Sequence, residues 1–445
     1  MAFSSPVATK TLIPNATVGE TLIPGLPDDI AAVILASLPY SHQSALRATS
    51  RSWRAFLAPL ALLPLRRSLR LPCRHLLALF PADPSITPPC LFDPAVSAWV
   101  LLPRIPCSYH LYGLSNFVPV ALGHHLYVLG GSQFDARSYP IGHPIASAAA
   151  YRLDLSSMPP LSWDRLANMI FPRGSFACSS LRRSSHGGVK DEGKIIVAGG
   201  GSRHSMFPVE GSRMSSVECY DVESGQWSMH KGLPRDRAGC VGLLIARPDS
   251  EEDEFWVMGG YGDYRTVSGV VPADVYHKDA VVLGLKSGRW REVEDMWEEG
   301  DRRRLGAVTA LDGDDGHGKD IFMLDSNEIF SSATFKGFMD KFHSRYDFVL
   351  NRWIKESCLR RKIPDNGSCG FVAMNGEIYV LTTSIQSFDL SDQRRATKKR
   401  LTIEIQIYNP QRKKWRFLTT SPPFNHTIFN NMIDFKTAVT CTVRV

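Results

Sequence analysis

Seven arginines, Arg137, Arg173, Arg203, Arg213, Arg237, Arg265 and Arg303, stand in or beside long polar segments that separate short apolar runs. A guanidinium carries five N–H donors in a rigid fork and grips a carboxylate or phosphate bidentately. A converging set would hold an acidic or phosphorylated segment. The alternative for each is structural, because a buried arginine can brace packed elements by donating to backbone carbonyls. A further basic run lies between Arg394 and Arg416, where Arg394, Arg395, Lys398, Lys399, Arg400, Arg412, Lys413, Lys414 and Arg416 face only Asp392 and Glu404. It reads as a solvated loop and strand edge, or as a site for an acidic partner.

Other chemistry is thinly represented. The nine cysteines, at 73, 90, 107, 178, 219, 240, 358, 369 and 441, include no CxxC pair and no Cys/His spacing of the zinc type. The histidines at 110, 124, 125, 143, 204, 230, 277, 317, 343 and 426 show no repeated placement of the kind a copper centre would need. Asp312-Gly-Asp-Asp-Gly-His317 is rich in carboxylates but lacks the glutamate spacing and flanking helices of a calcium loop. Neither a GxxxxGK[ST] loop nor a GxSxG elbow is present. The expectation is a non-catalytic binding protein with no metal site and no cofactor.

Composition narrows the class. At 445 residues, with 44% hydrophobic and 21% charged residues, the chain is globular and long enough for two domains or one large repeat array. A net charge of +7 over this length is a mild excess, so nucleic acid is not an expected partner. The longest apolar stretch, Ala55 to Leu65, is about half of the ~20 residues a membrane span needs. Scattered cysteines and no recognisable secretory leader lead to the expectation of reduced thiols in the cytoplasm, the nucleus or both. Residues 1–20, rich in Ser, Thr and Ala, read as a disordered tail.

The elements that must position these residues are set by a repeat. Trp99, Trp163, Trp227, Trp290, Trp353 and Trp415 follow one another at intervals of 64, 64, 63, 63 and 62 residues. Seven positions before five of them stand Phe92, Tyr220, Leu283, Tyr346 and Tyr408, and in the remaining repeat Tyr151 stands twelve before Trp163. Each pair reads as two strands joined by a turn. Upstream runs such as His125–Gly131, Lys194–Gly200 and Glu254–Gly260 read as buried strands ending in glycine pairs that permit positive φ. One more apolar run precedes each of these, giving four strands per unit of about 63 residues, the plan of a propeller blade.

The hydrophobic run, Gly-Gly pair and spaced Tyr and Trp resemble the kelch repeat from about Leu71 to Val445, most closely in repeats two to four. The expected fold is therefore mainly β, a six-bladed kelch-type propeller over residues 61–445. The first unit offers only three strands, His75–Phe80, Cys90–Asp93 and Ala98–Leu102, while Thr437–Arg444 is a β-branched run without a blade. The latter is expected to fill the former and remove two open sheet edges. Propeller geometry then gathers the long segments 132–147, 201–216, 261–279, 326–345 and 382–400 on one rim, with the seven arginines around the channel mouth.

Residues 21–60 carry a second pattern. Asp28 is placed to cap a helix with Ile30, Val33, Ile34 and Leu38 at helical spacing and Pro39 at its end, followed by a segment from Ser41 to Leu57 with Leu46, Trp53, Phe56 and Leu57. These residues are too few to bury their own apolar surface, which implies a partner. The sequence Leu-Pro-Asp-Asp-Ile, then Ile-Leu, Leu-Pro and Arg-Ser-Trp-Arg resembles the F-box. The resemblance implies docking on a Skp-type adaptor and through it on a cullin-RING ligase, with Leu26, Pro27, Ile30, Ile34, Leu38 and Trp53 at the family's adaptor-facing or structural positions. Thr49 and Ser50 stand where the family often has Val-Cys. The whole chain resembles a plant F-box/kelch-repeat protein, which implies the substrate-recognition subunit of an SCF-type ubiquitin ligase acting on an unknown protein. A non-catalytic kelch scaffold is the alternative.

Overall fold

The computed structural model describes residues 21–57, 62, 65–66, 68–69, 75–138, 144–157, 160–182, 193–201, 212–246, 252–267, 271–293, 296, 307–312, 318–324, 342–348, 350–361, 363, 369–387, 399–423 and 439–444. Strand pairing groups most of the described strands into six four-stranded antiparallel units, two of which touch through a single parallel bridge between Ile245 and Gly318. From inner to outer strand the second unit is Val118–Leu122, His125–Leu129, Ala150–Asp154 and Trp163–Arg165. The third is Ala177–Arg182, Gly193–Ala198, Val217–Asp221 and Gln226–His230, and the fourth Val241–Ala246, Asp253–Met258, Ala280–Gly284 and Trp290–Val293. The fifth runs Ala307–Asp312, Gly318–Leu324, Phe342–Asp347 and Arg352–Cys358, and the sixth Cys369–Met374, Glu377–Ser387, Lys399–Asn409 and Lys414–Thr420.

Side-chain alternation explains the packing. Successive residues of a strand point to opposite faces, and here both faces are buried. In His75–Phe80, Leu77 and Leu79 join a cluster with Val372, Tyr379 and Ile405 of the sixth unit, whereas Leu76, Ala78 and Phe80 join one with Leu126, Val128 and Leu153 of the second. The same division recurs around the molecule, so that six apolar clusters each lie between two neighbouring units. The innermost strands neighbour one another in a closed cycle that returns from Cys369–Met374 to Val439–Arg444.

The carboxy-terminal strand Val439–Arg444 supplies the inner edge of the first unit. It pairs antiparallel with His75–Phe80 from His75 opposite Arg444 to Phe80 opposite Val439, and Val443 is fully buried. The expected latch is therefore present. The paired aromatic positions also hold, with Phe92 opposite Trp99, Tyr220 opposite Trp227, Tyr346 opposite Trp353 and Tyr408 opposite Trp415. In the second unit the partner of Trp163 is Leu153, and Tyr151 faces Arg165 instead. The partners are ten residues apart there and seven in the other units, so the turn is longer, and Tyr151 stands two residues before Leu153 on the same face of the strand.

Four of the five long segments contain strand, the fourth only at its end, where Phe342–Asp347 begins. Ser132–Asp135 pairs with Leu111–Ser115 and Ile145–Ala146, Tyr261–Val267 pairs with Val271–Tyr276, and the strands of the sixth unit extend to Ser387 and from Lys399. The β-branched and aromatic residues of these segments favour extended pairing over open loop.

The amino-terminal helices are α1 (Asp28–Ser37), α2 (Tyr40–Thr49) and α3 (Arg51–Phe56). Pro27, not Asp28, is the N-cap of α1, and the Asp28 carboxylate instead accepts from the Leu22 N–H at 2.9 Å. Ser50 divides the expected second segment: its extended backbone ends α2 and its hydroxyl accepts from the Trp53 N–H at 3.0 Å to cap α3. Among the described residues no helix is long and apolar enough to cross a membrane.

Removing residues 439–445 strips the inner edge from the first unit and exposes the apolar faces that Val443 covers. The truncated chain should melt at a clearly lower temperature and less cooperatively, read by circular dichroism. An unchanged transition would show that the latch is dispensable.

Candidate functional site

The exposed apolar face of the amino-terminal helices is built by a division within α1. Ala31, Ala32, Leu35 and Ala36 are buried, and Leu35 and Ala36 pack with Leu57 and Leu62 into a small core bordered by Leu22, Ile23, Leu38, Leu46, Trp53 and Phe56. The opposite stripe, Ile30, Val33 and Ile34, with Leu26 just before the helix, is 37–48% exposed. Small residues let α1 lie close on its core while the branched aliphatic residues face outward. The helical spacing of Ile30, Val33 and Ile34 thus marked the outer face. Of the expected docking residues, Leu26, Pro27, Ile30 and Ile34 are exposed, whereas Leu38 and Trp53 face the helical core, the Trp53 indole N–H donating to the Leu22 carbonyl. Val33 belongs to the exposed stripe and was missing from the expected set.

The helices are anchored to the β-structure through α2. The Tyr40 hydroxyl donates to the Leu155 carbonyl at 2.8 Å, and the buried Arg47 guanidinium donates to the Ser157 carbonyl at 3.3 Å and the Leu57 carbonyl at 2.7 Å. Burial pushes the Tyr40 hydroxyl up to about 12 and lowers the Arg47 guanidinium, so the contact is a neutral phenol beside a cation.

The arginines divide sharply. Arg173 and Arg237 are wholly buried. Arg173 donates to the carbonyls of Gly199 and Ser216 at 2.9 and 3.0 Å and pairs with the buried Glu218, which also accepts from the N–H groups of Ile170 and Phe171. Arg237 repeats the arrangement one unit on, reaching the Gly259 carbonyl at 3.0 Å and Asp279 at 2.6 Å. These two therefore leave the substrate-binding set: they brace neighbouring units, the structural alternative. The glycine pairs admit them. A Cβ on Gly130 (φ +60°) would lie 2.2 Å from the Arg173 carbonyl oxygen, and one on Gly199 (φ +68°) 2.5 Å from that of Arg237.

Arg137 is exposed and paired with Asp135, whose carboxyl it pulls down to about 2. Arg213 lies over the Tyr261 ring, 5.2 Å from its centroid, and the Tyr261 and Tyr276 rings meet edge to face at 6.0 Å. Tyr112 and Phe134 stack at 5.6 Å across the paired strands Leu111–Ser115 and Ser132–Asp135. The backbone of Arg265 lies in the strand Tyr261–Val267. Arg203 and Arg303 fall outside the described residues. The basic run is partly committed, since Arg416 pairs with Glu377 and touches the Tyr379 hydroxyl at 3.2 Å.

An array of four-stranded units around a closed cycle, joined to a three-helix module with an exposed apolar stripe, defines a kelch-type propeller carrying an F-box. The F-box domain family matches residues 23–61 and the Kelch motif family residues 182–229. The chain is 46% identical over 440 residues to the F-box/kelch-repeat protein OR23 of Arabidopsis thaliana, covering 96% of this chain and 92% of that one. It is 30% identical over 225 residues to F-box/kelch-repeat protein SKIP30 of the same plant, covering 50% of this chain and 58% of that protein. A solved structure titled "Structure of YjhT" matches 71% of this chain and 85% of its own at 13% identity and a TM-score of 0.42. The chain belongs to the F-box/kelch-repeat family.

Replacing Arg173 by Met leaves Glu218 buried without its cation and should cost on the order of 3–5 kcal/mol in chemical denaturation; adding Glu218→Gln should recover part of the loss. Asp279 supplies a pH test. Burial raises its carboxyl, but the hydrogen bond and charge of Arg237 outweigh this and hold it below the ordinary range. Its stabilisation is full above the usual aspartate range and fades as pH falls through the lowered value. The acid limb of stability should therefore be shallower in Asp279→Asn than in the native chain, as followed by melting temperature against pH.

Proposed function

We propose that this chain is the substrate-recognition subunit of an SCF-type E3 ubiquitin ligase, with the amino-terminal helices docking a Skp-type adaptor and the propeller holding a protein target. The observation that carries the reading is the stripe of Leu26, Ile30, Val33 and Ile34, exposed on a helix whose other face is already buried. A contiguous apolar stripe on a folded protein is a docking surface rather than an unfinished core. Ubiquitin transfer is performed by the other subunits, and this chain contributes position.

The target would sit on the rim formed by the ribbon of Leu111–Ser115, Ser132–Asp135 and Ile145–Ala146 and the hairpin of Tyr261–Val267 and Val271–Tyr276. With Arg173 and Arg237 committed internally, an acidic or phosphorylated segment would be met by Arg137, Arg203, Arg213, Arg265 and Arg303, with Tyr261 and Tyr276 as apolar backing. Arg213 over Tyr261 supports this, because an aromatic face beneath a guanidinium fixes its direction.

The full chain should co-purify with a Skp-type adaptor, and Leu26→Ala, Ile30→Ala and Ile34→Ala together should weaken that binding at least about tenfold without moving the melting transition of the β-structure. Failure of the native chain to bind would leave the scaffold reading. Arg213→Ala with Arg265→Ala should reduce recovery of co-purifying target while adaptor binding stays intact; unchanged recovery would remove the rim from the reading.

A further inference from the structure

We propose that His124, His125 and Asp154 form a binding site for one divalent transition-metal ion, zinc in the first instance, beneath the junction between the helices and the second unit. One ring nitrogen from each histidine and one carboxylate oxygen all lie within 4.8 Å of one another. His124 Nε2 is 3.6 Å and His125 Nε2 3.9 Å from the same Asp154 Oδ1. Ligands held at about 2.0–2.1 Å around a tetrahedral ion stand roughly 3.3–3.4 Å apart. The two histidine–carboxylate separations exceed this by only a few tenths of an ångström, so modest rotation of the rings would seat the ion.

The backbone holds the three ligands in place. His125 and Asp154 are direct partners across adjacent strands, and His124 is fixed beside them by the Leu155 N–H, which donates to its carbonyl at 3.2 Å. The carboxylate is itself oriented. Oδ1 accepts from the Ser156 N–H at 2.8 Å and Oδ2 from the Ser157 hydroxyl at 2.7 Å, outer contacts of the kind that fix a ligand's direction. The three side chains are 15–28% exposed, which leaves a fourth position open to water or an outside ligand. Two imidazoles and one carboxylate suit zinc and its neighbours, not calcium or magnesium, which take oxygen ligands. The positive Arg47, whose charge is felt at Asp154, opposes a dication and should keep affinity below that of a four-ligand structural zinc.

The position is what makes the site informative. Asp154 lies in the same short hairpin as Leu155 and Ser157, whose carbonyls receive Tyr40 and Arg47. An ion there would stiffen the hairpin on which α2 rests. This inference does not depend on the identity of the adaptor or of the target.

The test uses the full chain, freed of metal by chelation and dialysed against zinc, with cobalt as a spectroscopic probe. One equivalent should bind, and His124→Gln and His125→Gln should each weaken binding at least about tenfold while circular dichroism is retained. His125→Cys should keep the ion and add a thiolate-to-cobalt charge-transfer band in the near ultraviolet, which a purely structural histidine would not produce. Absence of stoichiometric binding by the native chain, native affinity in both glutamine variants, or a cysteine variant without that band would overturn the site.

Discussion

A four-stranded sheet whose middle strands are apolar on both faces cannot bury them alone, and everything in this molecule follows from that constraint. Each unit lends one face to the unit before it and one to the unit after it. The tryptophans convert this packing into register. The indole N–H of Trp163 donates to the Pro103 carbonyl, that of Trp227 to Ala167, that of Trp290 to Lys231 and that of Trp415 to the Ser357 hydroxyl, each reaching into the preceding unit. Trp99 makes the same reach backward across the closure, to the Thr420 hydroxyl at 2.8 Å. In the fifth unit a backbone bond from Trp353 to the Met296 carbonyl serves instead. A side chain that looks like a repeat marker is therefore a ruler between neighbours, which is why its spacing survives where the glycine pair does not.

The glycine pairs and the buried arginines form a second, more local relay. The carbonyl of Arg173 accepts from Gly131 while its guanidinium reaches Gly199, and the carbonyl of Arg237 accepts from Gly200 while its guanidinium reaches Gly259. Each arginine thus spans two units and needs a backbone without a side chain at both ends. Where the pair is missing, the sixth unit joins its neighbour differently, through Gln406, which accepts from the Arg361 N–H and donates to the Arg361 carbonyl, both at 2.9 Å. A neutral amide replaces the buried ion pair of Arg173 and Glu218, avoiding the desolvation of two charges.

These features account for what could be read beforehand. Strand order, the borrowed terminal strand and the helical module were legible because periodicity and apolar alternation are properties of residue order. The fate of each arginine was not, because a fork of donors serves a buried carbonyl as well as an external phosphate, and only burial distinguishes them. Arg173 and Arg137 look alike in sequence; one is enclosed and the other is 69% exposed at its side chain. The outer face of α1 was legible except at Val33, which the expected set omitted although it is exposed beside Ile30 and Ile34. Ile30, Val33 and Ile34 form an apolar stripe whichever way it points, and the clue lay in the alanines at 31, 32 and 36, which are too small to be a docking surface and suited to close approach. The pairing of His125 with Asp154 was hidden because it spans a long insertion, and two adjacent histidines carry no periodic signal.

The terminal latch has a bearing on how the chain comes to exist. The strand that completes the first unit, Val439–Arg444, is made long after its partner, His75–Phe80. Throughout synthesis of the intervening units an apolar strand edge waits without its mate. The helical module, with its own small core of Leu35, Ala36, Leu57 and Leu62, precedes that edge and is available to a binding partner first. A chain cut short within the later units would keep Leu26, Ile30, Val33 and Ile34 but lack the strand that completes the first unit. If the helices dock as proposed, such a product would compete with the intact protein for its partner.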